Sequence, residues 1–139
     1  MSPYTYEIAL HPRYRDVDPN GHVNHAVYLT YMEEARAGYW EKVIGGRLSD
    51  AGLAIVSAEV DYHAELELQD TVTVAMRIEE LGESSIPHAY RLSTPERTVA
   101  TGRVIMVAFD REKRTSRPIP DDWDTAIRAY EADHGNPID

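Results

Sequence analysis

Residues 25–44 read HAVYLTYMEEARAGYWEKVI, and they form the longest helical pattern in this chain of 139 residues. Their apolar side chains recur at the spacing of one helical stripe, at Tyr28, Tyr31, Met32, Ala35, Tyr39 and Val43. Asn24 is suited to cap the start of this helix, and Gly45-Gly46 is suited to end it. The pattern therefore predicts a helix roughly 30 Å long, whose apolar stripe needs a sheet to cover it.

The segments on either side of this helix alternate between apolar and polar residues, which is typical of half-buried strands. Five strands are predicted, at about residues 4–10, 54–68, 72–78, 86–92 and 98–109. Short links favour antiparallel neighbours, and a short acidic helix is predicted after Pro120. We therefore expect one α+β domain over residues 1–139, with a long central helix wrapped by a five-stranded antiparallel sheet and a short C-terminal helix. The open edges of such a sheet favour pairing with a second copy of the chain.

The overall composition excludes several classes of function. There is no cysteine, which removes disulfides, thiolate metal sites and cysteine nucleophiles. The net charge of −10 argues against nucleic acid as a partner, and no apolar run approaches the roughly 18–20 residues of a membrane span. The first ten residues, MSPYTYEIAL, show no leader pattern, so the cytoplasm is the expected compartment.

The segment before the helix concentrates the groups that can carry chemistry. Residues 14–28 read YRDVDPNGHVNHAVY. A carboxylate next to a helix N-terminus lies beside free backbone N–H groups, which can polarise a carbonyl and hold an oxyanion while the carboxylate attacks or activates water. Alternatively, Asp16 and Asp18 cap turns through Asx hydrogen bonds. His22 and His25 have the spacing of a metal pair, but no third ligand is marked, so no metal is predicted.

Residues 14–28 resemble the D-x-D-x-x-G-H-V-N signature of hotdog-fold acyl-CoA thioesterases of the 4-hydroxybenzoyl-CoA thioesterase family. Further similarity lies in YMEEAR at 31–36, QDTV at 69–72, LGESS at 81–85 and ATG at 100–102. The resemblance implies the hotdog fold and hydrolysis of an acyl- or aroyl-CoA to the free acid and CoA. It implies no cofactor, since CoA is part of the substrate. It also implies a homodimer or homotetramer with its site between two subunits.

The resemblance assigns roles to individual positions. Asp18 matches the catalytic carboxylate, acting as nucleophile or general base, and His25 matches the position whose backbone N–H polarises the thioester carbonyl. Asn24 and Gly21 would lie at the site, and Ser84 and Ser85 would complete it from the partner's strands.

Basic residues are concentrated in one stretch, residues 97–117, which carries a local charge of +4 from six basic and two acidic side chains. This stretch is either a solvated strand end and turn or an anion site. The resemblance suggests that it holds CoA phosphates, with Arg97 and Arg103 as candidates.

Two other functions stay open. A hotdog enoyl-CoA hydratase or dehydratase pairs an Asp with a His five residues later, whereas His22 follows Asp16 by six residues and Asp18 by four. A non-catalytic acyl-CoA-binding domain needs an output module, and the predicted fold uses the whole chain. The acyl group itself is not predicted, because a pocket between subunits determines it.

Overall fold

The computed structural model describes residues 3–139, apart from the side chain of Ser49. Strand β1 (Tyr6–Leu10) leads through a 3₁₀ turn (Tyr14–Asp16) to helix α1 (Val27–Val43). The remaining elements, in chain order, are a second 3₁₀ turn (Leu48–Asp50), β2 (Leu53–Tyr62), β3 (Val72–Ile78), β4 (Ser85–Ser93), β5 (Thr98–Asp110), β6 (Thr115–Ser116) and α2 (Asp121–Asp133).

The strands form one antiparallel sheet in the order β1-β3-β4-β5-β2, with β6 paired to β5. The predicted α+β architecture is therefore confirmed, with six strands in place of five. The sixth strand was missed because it has only two residues. It follows a tight turn in which Arg114 adopts a φ of +58°, and neither feature leaves a periodic pattern in the sequence.

Helix α1 packs its predicted stripe against the sheet. Five of its six predicted core residues are buried, namely Tyr28, Tyr31, Met32, Ala35 and Tyr39, and Val43 is half-buried. Gly102 on β5 lies directly against Met32, where any Cβ atom would collide with the Met32 side chain. Arg36 and Trp40 are buried as well, which the periodicity did not predict.

Two predicted boundaries differ from the structure. Helix α1 begins at Val27 rather than about residue 25, because Asn24 Oδ1 accepts the Ala26 N–H at 2.9 Å and so closes a separate turn. The strand predicted over 54–68 ends at Tyr62. Beyond it the chain loops back, and Leu66 enters the core while its carbonyl accepts the Val23 N–H at 2.7 Å. The alternation of apolar and polar residues in the sequence therefore continues beyond Tyr62, the last residue of the strand.

Strand β2 forms one edge of the sheet and is irregular. Its register to β5 shifts between Ile55 and Ser57, which is a β-bulge. The bulge makes Val56 an extra residue in the strand, and Ile55 and Val56 are 51% and 60% exposed. An edge strand with exposed apolar side chains is a site for pairing.

Helix α2, the predicted C-terminal helix, docks through Trp123 and Ile127. It also buries Glu131, whose carboxylate accepts hydrogen bonds from the Thr5 hydroxyl (2.9 Å), the Tyr39 hydroxyl (2.7 Å) and the Asn136 amide (2.7 Å). The two ends of the chain thereby meet at one acidic side chain. Neither helix within residues 3–139 combines the length and apolar character needed to cross a membrane.

Candidate active site

The segment between β1 and α1 is folded into a tight hairpin. Val17 pairs with Val23, the Asp18 N–H donates to the His22 carbonyl at 2.8 Å, and the Gly21 N–H donates to the Asp18 carbonyl at 3.0 Å. Gly21 has a φ of +86°, which glycine adopts without steric cost. The hairpin therefore has a defined geometry of its own.

Asp18 is half-buried at the base of this turn. Its Oδ1 atom accepts the Asn20 N–H at 2.9 Å and the His22 N–H at 3.3 Å, which is the Asx hydrogen bonding considered as the alternative role. Its Oδ2 atom has no hydrogen-bond partner among residues 3–139. The turn thus fixes one carboxylate oxygen and leaves the other available, so the structural and chemical roles are compatible.

Asp16 lies in a different environment, only 4% exposed. Its Oδ2 atom accepts the Tyr31 hydroxyl at 2.6 Å and the Arg13 N–H at 2.9 Å. Burial raises the pKa of Asp16, but the hydrogen bonds and the nearby Arg13 guanidinium outweigh it and hold the pKa below its ordinary value. The Asp16 carbonyl also accepts the Asn24 N–H at 2.8 Å. Asp16 therefore anchors the hairpin to α1 and is closed to a ligand.

His25 is held from both sides at the start of α1. On its N-terminal side, the Asn24 N–H donates to the Asp16 carbonyl. On its C-terminal side, the Ala26 N–H donates to Asn24 Oδ1. The Tyr62 hydroxyl donates to the His25 carbonyl at 2.7 Å, and the Tyr62 ring packs edge-on against Tyr28 with 5.0 Å between centroids. Among the described residues, no acceptor is bonded to the His25 N–H. This donor is therefore fixed in place and open.

Asp18 and His25 line one cleft of about 450 Å³. Its other lining residues are Asn20, His22, Val23, Tyr28, Tyr62, His63, Ala64 and Glu65. His22 Nε2 lies 2.9 Å from Glu65 Oε2, and His63 Nε2 lies 3.0 Å from Thr101 Oγ1. Within residues 3–139, no group of three or more His, Cys, Asp or Glu side chains is arranged to hold a metal ion.

The wall contributed by the end of β2 was not predicted as part of the site. Tyr62, His63 and Glu65 belong to it, and the sequence analysis placed this stretch in a continuous strand. The sequence does contain a signal for this wall: Asp61, Tyr62 and His63 follow the more apolar residues of the strand.

Comparisons with known proteins agree with this geometry. A model described as the thioesterase-like superfamily matches residues 12–127. The chain belongs to the thioesterase-like superfamily. A crystal structure of a thioesterase complexed with coenzyme A and Zn from Thermus thermophilus is 32% identical, with 95% of this chain and 98% of that chain covered and a TM-score of 0.88. The prediction of a hotdog thioesterase is thereby confirmed.

Other solved structures extend the comparison. A predicted thioesterase from Bacillus stearothermophilus is 25% identical over 90% of this chain and 95% of that chain, with a TM-score of 0.83. A 1,4-dihydroxy-2-naphthoyl-CoA thioesterase from Synechocystis, 22% identical over 88% and 94% of the two chains, shares the fold with a TM-score of 0.79. No curated protein sequence matched the chain. Together, the family and the CoA-bound structure support acyl-CoA thioesterase activity.

Gly21 and the two predicted serines, Ser84 and Ser85, lie in different parts of this thioesterase. Gly21 and Asp18 line a second cleft of about 480 Å³, together with Tyr14, Val17, Pro19 and Leu68. Ser85 pairs with Val107 near the end of β5, whereas the cleft lined by Asp18 and His25 lies by the start of β5, next to Tyr62. A single chain therefore does not bring Ser84 or Ser85 to Asp18, and their contribution across a subunit boundary stays a prediction.

The two predicted phosphate-binding arginines of the thioesterase are engaged within the chain. Arg97 Nη2 donates to the Glu65 carbonyl at 2.6 Å and to Asp70 Oδ2 at 2.8 Å, which fastens the loop after β2. Arg103 Nε donates to Glu79 Oε1 at 2.7 Å. Neither residue lines the cleft of Asp18 and His25, and binding of CoA phosphates by either one stays a prediction.

Proposed function

We propose that this thioesterase hydrolyses an acyl-CoA to the free acid and CoA, with Asp18 as nucleophile or general base and the His25 N–H polarising the thioester carbonyl. One observation carries the proposal. One cleft is lined by two residues that carry the needed groups: His25, whose backbone N–H has no acceptor among the described residues, and Asp18, whose carboxylate has one unbonded oxygen.

The His25 N–H lies in the turn just before α1, near the helix N-terminus, where the helix dipole favours negative charge. A donor that is already oriented stabilises the oxyanion without reorganisation during the reaction. As a nucleophile, Asp18 attacks the carbonyl carbon, the C–S bond breaks to release CoA, and water hydrolyses the resulting anhydride. As a general base, Asp18 takes a proton from water as the water attacks, and that proton passes to the departing sulfur.

The Asp18→Asn variant tests this proposal through thiol release from a panel of aliphatic and aromatic acyl-CoAs. Because an amide neither attacks nor accepts the proton, kcat is expected to fall by about 10²–10⁴ while the fold is kept. Asp122→Asn, an exposed carboxylate on α2, is the matched control and is expected to match the wild type. Equal activity of Asp18→Asn and wild type would remove Asp18 from the mechanism. Hydration of crotonyl-CoA without thiol release would favour a hydratase instead.

We also propose that the active species is a homodimer or a homotetramer built from dimers. The supporting feature is β2, whose outer edge has no neighbouring strand within residues 3–139 and whose Ile55 and Val56 side chains are exposed. A cytoplasmic location stays a prediction.

A further inference from the structure

Successive contacts join Arg97, in the turn between β4 and β5, to the carboxylate of Asp18. Arg97 Nη2 donates to the Glu65 carbonyl at 2.6 Å, and Glu65 Oε2 lies 2.9 Å from His22 Nε2. The His22 N–H donates to Asp18 Oδ1 at 3.3 Å, and the His22 carbonyl accepts the Asp18 N–H at 2.8 Å. Each residue of this chain of contacts therefore touches the next, although Arg97 and Asp18 are far apart in the sequence.

The loop that carries Glu65 also has backbone contacts with the hairpin between β1 and α1. The Val23 N–H donates to the Leu66 carbonyl at 2.7 Å, and His22 forms an isolated β-bridge with Glu67. The hairpin and the loop are therefore held together as one unit, so a displacement of the loop displaces the hairpin.

Arg97 fixes this loop through a carboxylate as well as through a carbonyl. Its Nη2 atom donates to Asp70 Oδ2 at 2.8 Å, and the same oxygen accepts the Glu67 N–H at 2.9 Å. On its other side, Arg97 is bound to its own turn, because its Nη1 and its backbone N–H each donate to Thr94 Oγ1 at 3.3 Å. The Arg97 side chain thus ties the loop after β2 to the turn between β4 and β5.

We infer that Arg97 is a positioning residue for the hydrolysis, which acts through Glu65 and His22 to hold the turn that orients the Asp18 carboxylate. This inference rests on the proposed function, because it assigns the reaction to Asp18. Arg97 does not line the cleft of Asp18 and His25. A loosened turn misplaces the carboxylate, which lowers the rate of the chemical step more than it lowers substrate binding.

Steady-state thiol release from the best acyl-CoA tests the inference. Arg97→Met removes the guanidinium and keeps most of the aliphatic side chain, so we expect kcat to fall about tenfold with KM nearly unchanged. Arg97→Lys, whose ammonium group can donate to both the Glu65 carbonyl and Asp70, should recover part of the rate. A raised KM with an unchanged kcat would overturn the inference and would indicate contact with CoA phosphates instead.

Arg128 on α2 supplies the matched control. Its Nε donates to Asp124 Oδ1 at 2.8 Å and its Nη1 donates to the Ile138 carbonyl at 3.1 Å. Its side chain is 35% exposed, against 33% for Arg97. Arg128 therefore makes the same two kinds of contact without touching the loop or the hairpin, and Arg128→Met should keep the wild-type kcat. An equal fall in kcat in both Met variants would overturn the specific role of Arg97.

A double-mutant cycle tests the route from Arg97 to Asp18. Glu65→Ala keeps the carbonyl that Arg97 binds and removes the carboxylate that contacts His22, and the fold should be kept because this side chain is largely exposed. The chain of contacts is then already interrupted, so Arg97→Met should lower kcat less in the Glu65→Ala background than in the wild type. Additive effects of the two variants would overturn the inference, because it runs through Glu65.

Amide hydrogen exchange separates failure of this inference from failure of the proposed function, since it needs no substrate. The N–H groups of Asp18 and His22 are bonded within the turn, and we expect them to exchange about tenfold faster in Arg97→Met than in Arg128→Met. Faster exchange would support the hold of Arg97 on the turn even if no thioester in the panel were cleaved. Equal exchange rates in the two variants would overturn it.

Discussion

Two aspartates two residues apart show how environment divides roles in this site. The Asp16 carboxylate accepts hydrogen bonds from the Tyr31 hydroxyl and the Arg13 N–H, so its charge stabilises the hairpin. Asp18 has one oxygen held by backbone N–H groups and the other unbonded. A carboxylate that is oriented but not saturated is the form that can react.

We propose Tyr62 as a positioning residue for the backbone of His25, because its hydroxyl donates to the carbonyl of the same residue. In Tyr62→Phe the ring packing against Tyr28 is kept and the hydrogen bond is lost. We expect kcat to fall by roughly tenfold with KM nearly unchanged, since a small displacement of a catalytic group lowers the rate more than it lowers binding. Steady-state kinetics with the best acyl-CoA measures this.

Tyr130 offers a close control for that variant, since its hydroxyl also donates to a backbone carbonyl at 2.7 Å, that of Thr5, away from the cleft. Tyr130→Phe should cost stability but leave kcat unchanged. A similar fall in kcat for both variants would show a general loss of rigidity and would count against a specific role for Tyr62.

The sequence was informative about individual residues where a motif encodes them locally. Asp18 and His25 belong to one short segment, and their placement in one cleft agrees with that motif. Tyr62 and Arg36 depend on partners 37 and 54 residues away. Nothing in local spacing marks such pairs, because only the packing of α1 against the sheet brings them together.

At the scale of elements, periodicity predicted α1, β3 and β4 well because each buries a regular face. It overextended β2, since Leu66 enters the core from a loop and mimics the strand pattern. It also missed the bulge at Val56, because a one-residue insertion is visible only against the partner strand.

Strand β4 carries a buried histidine that makes stability depend on pH. His88 Nε2 accepts the Trp40 indole N–H at 3.0 Å, and its Nδ1 is bonded to the Ile86 carbonyl at 2.8 Å. Burial, with a contribution from the Arg36 charge, lowers the pKa of His88 to about 3. The folded state therefore keeps His88 neutral, while the unfolded state binds a proton below its ordinary pKa of about 6.5.

The free energy of unfolding is therefore expected to decrease as the pH falls from about 6.5 toward 3, with His88 contributing a slope of about 1.4 kcal/mol per pH unit. The contribution is fully present above the unfolded pKa and is lost on acidification. Urea unfolding at several pH values measures the slope. His88→Gln, which cannot titrate, should be less stable at neutral pH but should lack this part of the slope. An unchanged slope in that variant would refute the assignment.

At the scale of the whole molecule, the exposed edge strand predicts association. Val56→Lys places a charge on the edge of β2 where the side chain is already exposed, so the fold of one chain should be preserved. We expect light scattering to show the mass of one chain for this variant and of two or four chains for the wild type, with thiol release lost in the variant. Glu112→Lys, an exposed change in the turn between β5 and β6, is the control. A wild type with the mass of one chain would exclude a site shared between subunits.

The carboxylate of Glu131 has a consequence for how the chain folds as it is made. Tyr39 leaves the ribosome long before Glu131, yet that late carboxylate is the only acceptor of its hydroxyl among the described residues. Until α2 docks, the hydroxyl of Tyr39, which lies in the middle of the core, has to stay hydrated. The nascent chain is therefore expected to hold α1 loosely on the sheet and to tighten only when the final helix emerges.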